Sequence, residues 1–482
     1  MTFLILLAAG LLAITAVALF YRWERQGNEH YAVAGLIILL VVESTLYPNQ
    51  NTLPRSIFHP GLGTLQFRVP EIYISLALAG RIAARGWPRR IGITALLWSA
   101  YGAWLVVATV EGVLRHNNTT QLFYEAKAIV YVVGGFALAA GMPIRRLVEG
   151  RALPALLRLT AGLALLLDVF TETHKSVNFN LPLLPLSGFG LFGSETATIL
   201  VTIGAVALLA DLAKPKSHWR AGLLFLPIGL GAVVTNQRAA LLSLGATALV
   251  LLLAAFGPTA RRRLKVTSTS VVLALLSALA VVSLVIVVPA TIHQRPVQVP
   301  FATQLNQTFH SQGKAESAQD RINQLQQAFV LIPQHVFIGW GLGVEYTYYE
   351  LGAKKFVVTN LTHDIFLDLW LRSGLIGLGL FVSALALSGW EGVAAWRRRS
   401  DDVVAAIAIA LVAVIVGQLV RGTLEPIFEE YRLATMLGLS MGILRAAVVA
   451  PDPGTFSLEA KGRERFGGAS AQWPSEAPTS WR

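Results

Sequence analysis

The feature that most constrains this chain is a succession of apolar runs, each about long enough to cross a bilayer. A spanning helix needs about 20 mostly apolar residues. Thirteen runs qualify, at 2–20, 32–47, 71–84, 91–113, 122–141, 152–170, 194–213, 219–235, 239–257, 267–290, 363–395, 403–420 and 432–449. The runs at 32–47 and 71–84 are the shortest. Composition agrees: 54% of the 482 residues are apolar and only 14% are charged, against about 25% charged in soluble domains. The expected fold class is an all-α polytopic membrane protein with twelve or thirteen transmembrane helices and a long extracytoplasmic loop containing an amphipathic helix. A soluble Rossmann enzyme, a disulfide scaffold and a disordered chain are excluded. With no cysteine in the sequence, thiolate nucleophiles and Cys-based metal sites are excluded too.

Charge fixes an expected orientation. The formal charge is +12, and basic clusters stand at Arg22/Arg25, Arg85/Arg89/Arg90, Arg145/Arg146/Arg151, Lys214/Lys216/Arg220, Arg261–Arg263 with Lys265, and Arg397–Arg399. Counting spans puts every cluster on one side, which the positive-inside rule makes the cytoplasm. Membrane retention thus accounts for the excess charge without a nucleic-acid partner, and none is expected. The N-terminus then lies outside and the C-terminus inside. The first run lacks a small-residue cleavage site and reads as a retained helix. The chain divides into transmembrane helices over 1–290, an extracytoplasmic loop over 291–362, C-terminal transmembrane helices over 363–450, and a disordered cytoplasmic tail over 451–482 rich in Pro, Gly and Ser.

A loop of about 70 residues is too long to be a bare connection. Within it Ala318, Ile322, Leu325, Phe329 and Ile332 recur at helical spacing. They predict one face of an amphipathic helix that starts after Ser317 and ends at Pro333.

Three side chains on the outer side could carry chemistry. Arg238, in the turn Thr235-Asn236-Gln237-Arg238 between two apolar runs, offers a planar fork for phosphate or snorkels at a helix end. His363 opens the apolar helix after the loop. Its neutral imidazole can accept a hydroxyl proton near neutral pH, or it is an interfacial histidine without a task. The adjacent Asp364 points to a different face of the helix. Arg321 in the loop helix is either a second cation suited to a diphosphate or a solvated charge beside Asp320. Trp340, Tyr346 and Tyr348 could stack on sugar rings, although interfacial aromatics are common in membrane proteins. The Gly339-Trp340-Gly341-Leu342-Gly343 run lacks a preceding strand and the nucleotide-loop spacing, so it reads as a tight backbone path packing on a helix. His310 and His335 form no zinc pattern. The outer acids form no Asp-x-Asp clamp. Neither a metal nor any other cofactor is expected.

Together these pieces resemble the O-antigen ligase and O-antigen polymerase superfamily. The family's Arg-x3-Leu pattern is similar to Arg238 through Leu242. Its His, small polar residue, nine residues and Gly-x-x-Gly resembles His363-Asp364 followed by Gly374-Leu375-Ile376-Gly377, with Asp364 where Asn, Ser or Gln is usual. An Arg helix followed by a glycine-rich turn resembles Arg321 through Gly343. The similarity covers roughly 220–380.

The resemblance implies a membrane glycosyltransferase of the bacterial inner membrane, working on its outer face. The donor would be a polyprenyl-diphosphate-linked glycan and the acceptor an envelope lipid or glycan. By that resemblance Arg238 and Arg321 hold the diphosphate and His363 serves the acceptor hydroxyl, in an inverting, metal-independent displacement. The expected activity is that of a glycan ligase, with the repeat-unit polymerase of the same superfamily as the alternative. A transporter or flippase would show matched halves with broken helices, and no matched halves are visible.

Overall fold

A computed structural model of the chain describes residues 2–45, 61–62, 65–86, 92–149, 159, 162, 179–181, 184–186, 199–200, 202–207, 210, 238–256, 312–360, 362–425, 428 and 431–450. The described helices are α1 (Thr2–Arg25), α2 (His30–Thr45), α3 (Val69–Arg85), α4 (Ile93–Leu114), α5 (Thr119–Ala139), α6 (Ile144–Glu149), α7 (Arg238–Phe256), α8 (Gln312–Leu331), α9 (Ile365–Arg398), α10 (Asp402–Gly422) and α11 (Tyr431–Val449). The protein is an all-α polytopic membrane protein. Among the described residues α4, α5, α9, α10 and α11 are long and apolar enough to span a bilayer. Nine of the thirteen apolar runs fall on described helices within a few residues. A tenth, 194–213, is helical at 199–200, 202–207 and 210. The runs at 219–235 and 267–290, nearly all of 152–170, the 451–482 tail and His310 lie outside the described residues.

Sequence explains how the helices start and how closely they approach. Pro70 sits in the first turn of α3, where its missing N–H is no loss. Asn118, Asp364 and Asp401 cap α5, α9 and α10, each accepting two backbone N–H groups of the first turn. Gly438 and Gly442 let α11 lie against α5, where a Cβ would run into the carbonyls of Val132 and Phe136. The α5 ladder widens to a π turn over Ile129–Gly134 at that crossing. α10 and α11 are the most buried of the candidate spans. They stand in the centre of one large apolar core with α9, α4, α5 and α2.

Helices α3, α5, α9 and α11 start at one end of the bundle, and α4 and α10 finish there. The Trp104 indole of α4 donates to the carbonyl of Ser373 in α9 (2.7 Å). Leu342 N–H donates to the Ala108 carbonyl (3.0 Å), which docks the loop on the same end. At the opposite end lies a belt of ion pairs: Arg85 with Glu24 (2.8 Å), Arg145 with Asp401 (3.9 Å) and Arg445 with Glu391 (3.0 Å).

Among the described residues three short antiparallel hairpins were not foreseen: β1 (Gly61–Leu62) with β2 (Leu65–Gln66), β3 (Phe179–Leu181) with β4 (Leu184–Leu186), and β5 (Tyr346–Glu350) with β6 (Lys355–Thr359). The last pairs Tyr346 with Thr359 and Glu350 with Lys355. Aromatic and β-branched residues favour it, and the turn puts Lys354 at φ 52°.

The loop helix also departs from expectation. α8 begins at Gln312, ahead of Ser317, and ends at Leu331 before a 3-10 turn at Ile332–Gln334. Its buried side is Gln324, Ala328 and, just beyond, Ile332, whereas Ile322 and Phe329 of the apolar face point outward. Periodicity located the helix but not the side that the protein covers.

Candidate active site at the loop end

His363 immediately precedes the Asp364 cap of α9. Asp364 spends its Oδ1 on the N–H groups of Phe366 and Leu367, 2.9 Å each. The imidazole turns instead to α8, where Nδ1 lies 2.7 Å from Oε1 of Gln324. An amide oxygen only accepts, so Nδ1 carries the proton and donates. That leaves the Nε2 lone pair as the basic position. Gln324 is 5% exposed, which fixes the ring's orientation. Burial lowers the His363 pKa from the ordinary 6.5, the Arg321 charge lowers it further, and Glu425 opposes both. The ring is therefore neutral at neutral pH, the state a proton acceptor needs.

Arg321 is exposed on α8, one turn from Gln324, and acts electrostatically on His363. Glu425 closes the α10 end by pairing with the fully buried Arg421 (2.7 Å). Arg238 is the first residue of α7. α7 packs on α10, where a Cβ on Gly417 would meet the Ser243 carbonyl and the Thr247 hydroxyl. Arg321, Glu425 and His363 thus share one end of the molecule.

The glycine turn is the bracket beneath this site. Gly339, Gly341 and Gly343 have φ of 80°, 82° and 76°, a region that favours glycine. Trp340 N–H donates to Leu371 O (2.8 Å) and Gly341 N–H to Arg372 O (3.0 Å). This is the helix-packed backbone path expected of the run. Gly374 is non-helical inside α9 (φ 68°, ψ −176°), and a Cβ there would overlap the Phe337 carbonyl. The first glycine of Gly374-x-x-Gly377 is thus a kink that admits the Val336–Ile338 backbone.

Tyr346 and Tyr348 are buried. Tyr346 packs with Ile332, Val344 and Leu371, and Trp340 packs against this cluster. Burial pushes the Tyr346 phenol up to about 12. Alternation along β5 turns these tyrosines inward while Tyr349 faces out.

Sequence reasoning missed an ion-pair network beside the site. Arg372 pairs with Glu125 (3.1 Å) and Asp368 (3.0 Å) and donates to the Asn360 carbonyl. Glu125 also accepts from Gly343 N–H (2.6 Å) and the Asn360 amide (3.3 Å). Nearby, Lys127 pairs with Glu71 (3.2 Å), and Arg68 stacks on Tyr431 (3.7 Å). Arg68, Glu125, Lys127, Asp368 and Arg372 line a cavity of about 260 Å³ together with Asn360 and several apolar and aromatic side chains. The signal was present: Glu125 and Lys127 lie inside an apolar span, where ionisable residues mark functional positions by default.

Fold and site together define a polytopic membrane protein with a polar, cation-bearing site at one end of its bundle. Residues 223–382 match the family described as O-Antigen ligase, and that match supports membership of the O-antigen ligase superfamily. At the level of the family this is a membrane glycosyltransferase-like group of ligase and polymerase type, with lipid-linked glycans as substrates. The matched stretch contains Arg238, Arg321, Gln324, His363 and Gly374. No curated protein matches the chain.

Proposed function

We propose that the protein is an extracytoplasmic glycan ligase of the bacterial inner membrane. It transfers a glycan from a polyprenyl-diphosphate carrier to a hydroxyl of an envelope acceptor, without a metal and with inversion. The observation that carries this reading is the His363–Gln324 pair. A buried amide holds Nδ1–H, which leaves Nε2 free and basic beside the Arg321 charge.

The acceptor O–H gives its proton to Nε2 of His363 as its oxygen attacks the anomeric carbon. The bond from that carbon to the diphosphate oxygen breaks, and its electron pair leaves with the diphosphate. Arg238 and Arg321 stabilise the charge that develops there. One direct displacement inverts the anomeric centre. The belt of basic residues at the opposite end supports a cytoplasmic placement of that end.

The test is the lipid-linked glycan profile of a deletion strain carrying either the wild-type gene or His363→Ala. The proposal expects long chains to accumulate on the carrier in the His363→Ala strain, with free acceptor left over. Single repeat units accumulating instead would make the protein the polymerase. Neither accumulating would overturn the glycosyltransferase reading.

A further inference from the structure

The outward side of α8 poses a problem of burial. Ile322, Phe329 and Val330 are exposed there, with Phe329 at 55%. Phe337 and Ile338 are exposed just beyond the helix, with Phe337 at 64%. Contiguous apolar patches of this kind on a protein surface mark an interaction site.

The position of α9 shows which apolar phase lies alongside. Leu375 N–H donates to the Val336 carbonyl (2.8 Å) and Ile376 N–H to the Phe337 carbonyl (3.3 Å). The Phe337–Ile338 turn is therefore strapped to a membrane-spanning helix, beside the exposed Leu375 and Ile376. Arg397 and Arg398 mark the far end of α9. A hydrocarbon core of roughly 30 Å takes about 20 helical residues, so its near boundary falls close to Gly377. The turn lies at that boundary. α8 leads away from it, with Gln324, Ala328 and Ile332 against the protein.

We propose that α8 is an interfacial helix, and that Ile322, Phe329, Val330, Phe337 and Ile338 are seated in the loop-side leaflet of the bilayer. The apolar stripe then has its burial in lipid, as amphipathic surface helices do. Seating α8 holds Arg321 and Gln324 at headgroup depth, the level at which a membrane-bound diphosphate presents itself. The seating rests on the membrane fold and not on the glycosyl-transfer reading.

The chain has no cysteine, so single-cysteine variants carry one spin label each. Phe329→Cys, Val330→Cys and Phe337→Cys are labelled with a nitroxide in the full chain and reconstituted in phospholipid vesicles. Gln327→Cys, exposed on α8 about 160° round the helix from Phe329, is the reference. The three labels should collide with dissolved oxygen at least several-fold more, relative to a water-soluble nickel complex, than the Gln327 label. Equal ratios at all four positions would overturn the proposal, because the face would then be in water. Exclusion of both relaxants from the three labels would also overturn it, because protein would then cover the face.

Discussion

Replacing Gly374 with alanine should unseat the site without touching any charged group. Gly374 has φ 68° and ψ −176°, a region occupied essentially only by glycine and costing other residues about 1–3 kcal/mol. The added Cβ would also overlap the Phe337 carbonyl and lie 2.5 Å from the Ile338 carbonyl carbon. Forcing that backbone aside adds about 1–3 kcal/mol of overpacking. The sum is about 2–6 kcal/mol, a large share of the 5–15 kcal/mol that stabilises a typical domain. The same shift breaks the bonds from Leu375 and Ile376 to the Val336–Phe337 backbone, which anchor the end of α8 and hence Gln324. Gly379 lies five residues further along the same helix, and its Cβ would meet nothing within 4 Å. Gly379→Ala should therefore be neutral or stabilise by about 0.5–1 kcal/mol. Thermal unfolding of the two purified variants in one detergent, beside glycan transfer in membranes, makes the comparison. Gly374→Ala should unfold several degrees below wild type and lose most activity, whereas Gly379→Ala keeps both. Equal behaviour of the two variants would refute the account of the Gly-x-x-Gly motif as a kink that admits the loop backbone.

Other consequences are as concrete. Gln324→Glu places a carboxylate on Nδ1–H of His363, which favours the imidazolium by about 1.5–3 kcal/mol. The base works in its neutral form, so the acid limb of the pH–rate profile should move to higher pH; an unmoved limb would remove Gln324 from its positioning role. Arg372→Met strands Glu125 and Asp368 in the interior, at about 3–5 kcal/mol. Arg372→Met with Glu125→Met should recover part of that loss in the same unfolding assay, and no recovery would show that the pair is not the cause. Chelation with EDTA should leave transfer rates unchanged, and a loss restored by a divalent cation would contradict the metal-free displacement.

Much of this was legible in the sequence because hydropathy is read locally. The spans at α9, α10 and α11 need only a count of apolar residues, whereas the caps Asp364 and Asp401 emerge from the structure. The glycine turn was legible as a tight path, since three alternate glycines have few other uses. The side on which α8 is buried was not. A stripe of Ile322, Leu325 and Phe329 looks the same whether protein or lipid covers it, and only the packing of Gln324, Ala328 and Ile332 decides. Gln324 itself was invisible, because its partner lies 39 residues away and a glutamine in a polar helix gives no signal. Tyr346 and Tyr348 drew attention as aromatics in a loop. A strand alternation that only the pairing with β6 establishes turns them into core.

The central claim is that His363 takes the acceptor proton as a glycan leaves its diphosphate carrier. Its most direct test uses purified protein in liposomes, a defined polyprenyl-diphosphate glycan and an acceptor-bearing membrane extract, with free polyprenyl diphosphate and glycosylated acceptor both quantified. The account predicts that the two products appear together, only when acceptor is present, and that His363→Ala yields neither while remaining folded. Transfer at the wild-type rate by His363→Ala, or an intact donor with the wild-type protein and acceptor present, would contradict it.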